Sequence, residues 1–103
     1  MSSFSNELTE AQIERLAILS EELGEVQQCI GKIFRHGYDS SNPTLDSNRN
    51  NRDDLERELG DIQAAMYLLV RAEDINIVNV HDRSNKKQSE RWRWTHHQEG
   101  IAS

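Results

Sequence analysis

A four-residue acidic pattern that occurs twice is the feature that most constrains the fold: Glu22-Leu23-Gly24-Glu25 recurs as Glu58-Leu59-Gly60-Asp61. In each copy, a leucine has one carboxylate directly before it and another two residues after it. At about 100° per residue, side chains three positions apart lie on one face of a helix, with Cβ atoms about 5–6 Å apart. The pattern therefore predicts two helices, each with paired carboxylates beside an apolar stripe.

The first of these helices is predicted to be long and amphipathic. Thr9 and Gln12 have the spacing of a capping box. Apolar residues then follow in steps of three and four, at Leu16, Leu19, Leu23, Val26, Ile30 and Ile33. The pattern ends at Phe34, and residues 37–51 are rich in Ser, Asn and Gly and contain Pro43, which predicts a long loop.

A second helix is predicted by a similar apolar series, at Leu55, Leu59, Ile62, Met66 and Leu69. Asp53 and Asp54 lie near its start and Arg71 near its end, as the helix dipole favours. A weaker apolar pattern after Asp74 runs into the polar stretch 81–90 and predicts a shorter, more exposed third helix. We therefore predict an all-α fold in which the two long helices pack antiparallel.

The size of the chain predicts a single domain over residues 1–103, with a core at about 9–92 and a tail at 93–103. Hydrophobic residues make up 35% of the sequence, which is enough for a few helix seams but hardly for a self-sufficient core. We therefore expect four-helix-bundle cores that form by oligomerisation, in a homodimer or homotetramer.

Charge and composition exclude several kinds of partner. The net charge of -6 argues against a nucleic-acid binder, which needs a basic surface to displace counterions. A single cysteine, Cys29, offers neither a disulfide framework nor a thiolate metal site. No apolar run approaches the length of a membrane span, and the first residues lack a signal-peptide pattern, so no membrane partner and a cytoplasmic location are expected.

Four carboxylates beside an apolar seam repel one another, so a hard dication is expected among them. Magnesium is the natural candidate and manganese the alternative, with Glu22, Glu25, Glu58 and Asp61 as ligands. No histidine lies three residues after a glutamate, which disfavours a di-iron site. Gly24 and Gly60 each cost about 1 kcal/mol relative to alanine in a helix. Close helix approach or room beside the metal would offset that cost.

The two motifs resemble those of the MazG-like, all-α nucleoside triphosphate pyrophosphohydrolases, in which EExxE is followed by ExxD on the next helix. They stand here as Glu21-Glu22-Leu23-Gly24-Glu25 and Glu58-Leu59-Gly60-Asp61. Residues 32–37 and the pair Asn51-Arg52 are similar to segments of a small phage and bacterial branch of that family. The resemblance implies Mg²⁺-dependent hydrolysis of nucleoside or deoxynucleoside triphosphates to the monophosphate and pyrophosphate.

The resemblance also implies roles for six residues around the metal. Glu21 and Glu22 would be catalytic, by orienting water or accepting its proton. Lys32 lies about 10 Å beyond Glu25 along the helix and, with Arg35 one turn further, would meet the substrate phosphates. Lys86 and Lys87 resemble basic positions on the family's third helix. Alternatively, Glu21 is a solvated charge, and Lys32 and Arg35 only stabilise the end of the helix.

Two other functions remain open at this point. A phosphoribosyl-ATP pyrophosphohydrolase-like enzyme would share the helical carboxylates and differ in its substrate. A non-catalytic helical adaptor would use its apolar seams for oligomerisation, and its carboxylates only for solubility. Metal dependence separates the adaptor from both enzymes, because only an enzyme site should gain stability from Mg²⁺.

Overall fold

The chain folds into three helices in a computed structural model that describes residues 5–41 and 48–98, apart from the side chain of Trp92. The helices are α1 (Glu10–His36), α2 (Asn51–Arg71) and α3 (Ile77–Glu90), and a 3₁₀ turn follows at Arg91–Arg93. The described residues contain no strand, so the predicted all-α fold is confirmed. Of the predicted tail, residues 94–98 contain no helix or strand, and residues 99–103 lie outside the described part.

The bounds of α1 follow from its two ends. The Thr9 hydroxyl accepts a hydrogen bond from the Gln12 backbone N–H at 3.1 Å, and the Gln12 side chain accepts one from the Thr9 N–H at 2.8 Å. This capping box satisfies donors that have no partner inside the helix. The helix ends before Gly37, whose φ of 84° favours glycine. Helix α1 therefore begins where predicted and extends two residues beyond Phe34.

The ends of the predicted loop are joined at its base. The Asn51 N–H donates to the Ser40 carbonyl, and the Arg52 N–H donates to the Tyr38 carbonyl, both at 2.9 Å. The Arg52 guanidinium also lies 5.0 Å from the centre of the Tyr38 ring. These contacts hold the end of α1 beside the start of α2, so the chain reverses direction whatever the path of residues 42–47, which lie outside the described residues.

At the opposite end of the pair, Arg15 of α1 binds Asp74, which follows α2. The guanidinium donates two hydrogen bonds to the Asp74 carboxylate, at 2.7 and 3.1 Å. The hydrogen bond from Arg15 is the main cause that lowers the pKa of Asp74 below its usual value. With both ends of the helix pair joined, α1 and α2 are antiparallel, as predicted.

The two long helices bury a narrow contact line between them. Cys29, Ala65 and Leu69 are the buried hydrophobic residues among those described, at 9%, 2% and 3% exposure. Leu19, Val26 and Ile62 are half-buried beside them. A pair of helices has one contact line, so each helix leaves part of its apolar surface uncovered.

The leucines at the centre of the two acidic motifs belong to the predicted apolar series, but they are not buried within a single chain. Leu23 is 53% exposed and Leu59 is 47% exposed. Leu23 belongs to a second apolar surface, which we call the outer stripe and which is formed on α1 by Ile13, Leu16, Leu23, Ile30 and Phe34. Leu16, Leu23 and Ile30 are spaced by seven residues, Ile13 lies three residues before Leu16, and Phe34 lies four residues after Ile30. Steps of three, four and seven are the spacing of a coiled-coil seam.

Helix α3 stands apart from the packed pair. Its main contact in the described part of the chain is with the 3₁₀ turn, and Val78 is exposed. The radius of gyration is 18.0 Å, whereas a compact domain of this length has a value of about 13 Å. A separate feature is that none of the helices described has both the length and the apolarity needed to cross a membrane.

Candidate functional site

The structure brings the four carboxylates of the two acidic motifs together at the middle of the α1–α2 pair. One oxygen each from Glu22, Glu25, Glu58 and Asp61 lies within 4.8 Å of the others. Each motif supplies two carboxylates because residues three apart share a helix face. The antiparallel packing then places the two pairs opposite each other. We call these four residues the carboxylate cluster.

The cluster is partly withdrawn from water and contains oxygens without partners. Glu22, Glu25 and Glu58 are half-buried, and Asp61 is exposed. Oε2 of Glu22 and Oε2 of Glu58 are buried atoms with no hydrogen-bond partner among the described residues. An unsatisfied buried polar atom is costly, and more so when it carries charge. Both oxygens are therefore free to accept a cation.

The electrostatics of the cluster disfavour four anions on their own. Burial raises the pKa of Glu22 above its usual value, and the negative charges of Glu25 and Asp61 raise it further. A hydrogen bond with Glu25 is the largest cause that raises the pKa of Glu58, followed by burial. Such a carboxyl pair shares a proton in the absence of another cation. A dication would replace that proton and relieve the repulsion.

The donor set fits a hard divalent cation. All four donors are carboxylate oxygens, which suit Mg²⁺ and Mn²⁺ rather than softer metals. In an octahedral Mg²⁺ site, opposite ligands lie about 4.2 Å apart, from a metal–oxygen distance of about 2.1 Å. The observed 4.8 Å spread exceeds that distance by only about 0.6 Å, a difference that small side-chain rotations can remove.

Gly24 and Gly60 do not mark a close approach of the two helices. A Cβ atom at either position would meet no atom within 4 Å in the described structure. Both residues are exposed. Of the two explanations suggested by the sequence, close packing of α1 on α2 is wrong, and room beside the metal stays a prediction.

The other predicted residues of α1 surround the cluster without joining it. Glu21 is exposed and is not one of the four converging carboxylates, although its charge contributes to the raised pKa of Glu22. Lys32 and Arg35 are both exposed in the last third of α1. Lys32 lies seven residues after Glu25 and shares its face of the helix. That face is open toward solvent at the Lys32 end.

The structure does not bring Lys86 and Lys87 to the cluster within one chain. Both residues are on α3, which does not pack along the helices that carry the carboxylates. The Lys87 ammonium lies 4.6 Å from the centre of the Trp94 ring. That cation–π contact holds Lys87 beside the 3₁₀ turn. The weak apolar pattern of α3 explains this outcome, because it offers little surface for packing.

A groove beside the cluster was not predicted from the sequence. It has a volume of about 380 Å³ and starts at Glu22 and Asp61. From there it follows α2 past Ala64 and Leu68 to Tyr67 and Arg71. The sequence feature that could have indicated the groove is the spacing of Ala64, Leu68 and Arg71, which follow Asp61 by three, seven and ten residues. This spacing places the three residues on the same helix face as Asp61.

Arg57 is a second residue that was not predicted. It lies one helical turn before Asp61, and residues four apart share a face of a helix. Arg57 is exposed on the side of the cluster away from the groove. Arg57 could have been identified from the sequence, because it precedes Asp61 by four residues.

Comparison with known proteins identifies the family of this chain. Residues 10–96 match the model of the MazG nucleotide pyrophosphohydrolase domain. The matched segment contains all three helices and the whole carboxylate cluster. Searches of the curated proteins and of the solved structures gave no match. Because the match covers most of the chain, this protein belongs to the MazG nucleotide pyrophosphohydrolase domain family.

Proposed function

We propose that this protein hydrolyses the α–β phosphoanhydride of nucleoside or deoxynucleoside triphosphates, giving the monophosphate and pyrophosphate. The observation that carries the proposal is the convergence of four carboxylates, two of which have a buried oxygen without a hydrogen-bond partner among the described residues, inside the segment matched by the family model. In this proposal Glu22, Glu25, Glu58 and Asp61 hold Mg²⁺ or Mn²⁺. The bound metal would polarise the phosphates and lower the pKa of water.

The residues of the chain supply positioning and proton transfer. We assign Glu21 and Glu22 to the attacking water, because Glu22 belongs to the cluster and Glu21 precedes it on α1. Glu21 is exposed, so it can accept a hydrogen bond from water without losing another partner. Glu22 is a member of the cluster, so its carboxylate would lie beside both the metal and a water bound to it.

Cations on the open side of the cluster suit the departing pyrophosphate. Lys32 shares the face of Glu25, and Arg57 shares the face of Asp61. Arg35 lies one turn beyond Lys32. We propose that these side chains meet the β- and γ-phosphates, and that Lys86 and Lys87 reach a substrate only through movement of α3 or from a second copy.

A second copy of the chain is the partner that we propose for the outer stripe. The accessible surface is 8680 Å², whereas a folded monomer of this mass exposes about 5,900 Å². The difference is comparable to the surface that one subunit buries in an obligate oligomer. Packing of two outer stripes would complete a four-helix bundle, in a homodimer or homotetramer.

The competing functions differ in their metal dependence and substrate. A helical adaptor needs the outer stripe but gives no reason for two buried, unpartnered carboxylate oxygens. A phosphoribosyl-ATP pyrophosphohydrolase would use the same cluster and would cleave the same bond in phosphoribosyl-ATP. The substrate range therefore separates the two enzymes, and the absence of any hydrolysis would favour the adaptor.

The test is a substrate panel read by product. Each common ribo- and deoxynucleoside triphosphate, and phosphoribosyl-ATP, is incubated with the protein and Mg²⁺ or with EDTA, and the nucleotide and phosphate products are separated by ion-exchange chromatography. We expect equal amounts of monophosphate and pyrophosphate from nucleoside triphosphates, and no product with EDTA. Orthophosphate and diphosphate as the products would show that another bond is cleaved.

A further inference from the structure

We propose that Asn51 and Arg52 are positioning residues of the carboxylate cluster, and that they make the cluster prefer Mg²⁺ to Ca²⁺. This rests on the proposed function for the identity of the cluster as a metal site. Neither residue is one of the four converging carboxylates. Both act through the loop base, which we define as residues 37–40 and 51–52, where the end of α1 is joined to the start of α2.

The loop base is held by side chains as well as by the backbone. The Asn51 amide donates a hydrogen bond to the Gly37 carbonyl at 3.0 Å. The Arg52 guanidinium forms an ion pair with Asp39 and lies 5.0 Å from the centre of the Tyr38 ring. Asn51 and Arg52 also donate backbone hydrogen bonds of 2.9 Å to this end of α1 and the residues that follow it. The loop base therefore fixes how far α1 and α2 are shifted along each other.

The helix seam beside the cluster does little to fix that register. Cys29 and Ala65, which follow Glu25 and Asp61 by one helical turn, are the buried residues on the two sides of the cluster. Helices interlock through side chains that form ridges and grooves, and neither of these side chains is long. The ion pair of Arg15 anchors only the opposite end of the pair. Without the loop base, the helices could therefore slide or splay at the cluster.

A small change of register affects Mg²⁺ more than Ca²⁺. A shift of one residue moves a carboxylate by about 1.5 Å along the helix axis. The 4.8 Å spread of the cluster already exceeds the distance of about 4.2 Å across an octahedral Mg²⁺ site. Mg²⁺ needs near-ideal octahedral geometry, whereas Ca²⁺ accepts oxygens at about 2.3–2.6 Å in flexible arrangements. Loosening the loop base should therefore lower the preference for Mg²⁺.

The side chains of the loop base can be removed without removing α2. The N-terminal cap of α2 is formed by Asn50 and Asp53, which exchange two hydrogen bonds at 3.0 and 2.9 Å. Asn51 and Arg52 take no part in this cap through their side chains. Arg52 lies six residues before Glu58, which is about 9 Å along the helix axis. A change at the loop base therefore reaches the cluster through an intact helix.

The test is the variant in which Asn51→Ala and Arg52→Ala are combined. Affinities for Mg²⁺ and for Ca²⁺ are measured by calorimetry on the full chain, and circular dichroism measures helix content. Changes at residues that orient metal ligands lower metal affinity by about 10- to 100-fold. We expect Mg²⁺ affinity to fall about tenfold and Ca²⁺ affinity to fall less, so that the ratio of the two affinities falls.

The matched control combines Asn79→Ala and Arg83→Ala, which remove the same two side-chain types from exposed positions on α3. This control should keep both affinities. Arg52→Lys leaves a cation beside Asp39 and Tyr38, so it should keep most of the preference for Mg²⁺. If the double variant does not fold, Asp39→Asn removes only the ion-pair partner of Arg52 and should lower the affinity ratio in the same direction.

The affinity ratio separates positioning from a merely structural role. A purely structural loop base would lower the melting temperature and leave the ratio of Mg²⁺ to Ca²⁺ affinity unchanged. An unchanged ratio in the folded variant, or equal weakening of the two ions, would therefore overturn the proposal.

Failure of this proposal is distinguishable from failure of the proposed function because metal binding is measured without turnover. A ratio that falls in the double variant, with no hydrolysis of any triphosphate by the unmodified protein, would refute the hydrolase and leave the positioning role standing. Metal-dependent hydrolysis, with an affinity ratio indifferent to Asn51 and Arg52, would do the reverse.

Discussion

Replacement of Asp61 by asparagine is expected to lower kcat/KM for nucleoside triphosphates by on the order of 10³-fold, with helix content unchanged. The amide has the size of the carboxylate but lacks its charge, so one of the four proposed ligands no longer attracts the dication as an anion. Metal ions contribute several kcal/mol of transition-state stabilisation, and each 1.36 kcal/mol is a factor of about ten in rate. Asp61 is exposed, so the change should not disturb packing. Steady-state pyrophosphate release and circular dichroism measure the two effects.

The control for this variant is Glu56→Gln, which removes one negative charge from the same helix at an exposed position outside the cluster. Its activity should stay within about a factor of two or three, the effect of ordinary surface changes. If Asp61→Asn retained activity near that of Glu56→Gln, the cluster could not be the catalytic metal site.

Replacement of Leu16 by lysine is expected to dissociate the proposed oligomer and to lower thermal stability. Leu16 lies on the outer stripe, and it is exposed in the single chain. It precedes Gly24 of the first acidic motif by eight residues, so the change is made outside the motif. A central interface residue is worth about 2 kcal/mol or more, and a symmetric dimer contains it twice. The dimer should therefore weaken by on the order of 10³-fold. Light scattering across a concentration series gives the mass, and circular dichroism gives the melting temperature.

Ala17→Lys is the matched control for the outer stripe. Ala17 is exposed, adjacent in sequence to Leu16, and about 100° away from it around the helix. This variant should keep the mass and melting temperature of the unmodified protein. A monomeric mass for the unmodified protein at all concentrations, with a cooperative melt, would contradict the proposed partner, because the outer stripe would then be stably exposed.

The helices and the meeting of the carboxylates were predictable because both depend on local spacing. The Thr9–Gln12 capping box fixes the start of α1, and residues three apart share a face on any helix. Helices α1 and α2 pack antiparallel, and the hydrogen bonds from Asn51 to Ser40 and from Arg52 to Tyr38 set the register in which the two motifs lie opposite each other. Bringing the two helices together required only a loop between α1 and α2. The backbone contacts of Tyr38 and Asn51 hold the two ends of that loop together.

The packing face of α1 was not predictable from the pattern alone. Leu16 and Leu23 belong to the same apolar series as Val26, but α2 covers only the side of α1 that carries Val26 and Cys29. An apolar stripe on α1 that is wide enough to contact two helices does not indicate which part of the stripe packs against a helix of the same chain. The groove was missed for a related reason, since Ala64 and Ala65 fit the helical pattern whether or not the space above them is filled.

Magnesium-dependent stability tests the central claim most directly, because it reports on the carboxylate cluster without assuming a substrate. At a concentration of 100 times Kd, Mg²⁺ should add about 2.7 kcal/mol to the stability of the folded protein, which raises the melting temperature by roughly 10 °C or more for a domain of this size. The measurement is a thermal melt in EDTA and in Mg²⁺, for the unmodified protein and for Glu58→Gln.

The sign of the Glu58→Gln effect follows from the raised pKa of Glu58. A folded-state pKa above the unfolded value means that deprotonation at neutral pH destabilises the metal-free fold, and that stability falls as pH rises through that interval. Glu58→Gln removes this effect, so it should melt higher than the unmodified protein in EDTA and gain little from Mg²⁺. An unmodified protein that Mg²⁺ does not stabilise, or a Glu58→Gln variant that Mg²⁺ stabilises equally, would contradict the assignment of the cluster as a metal site.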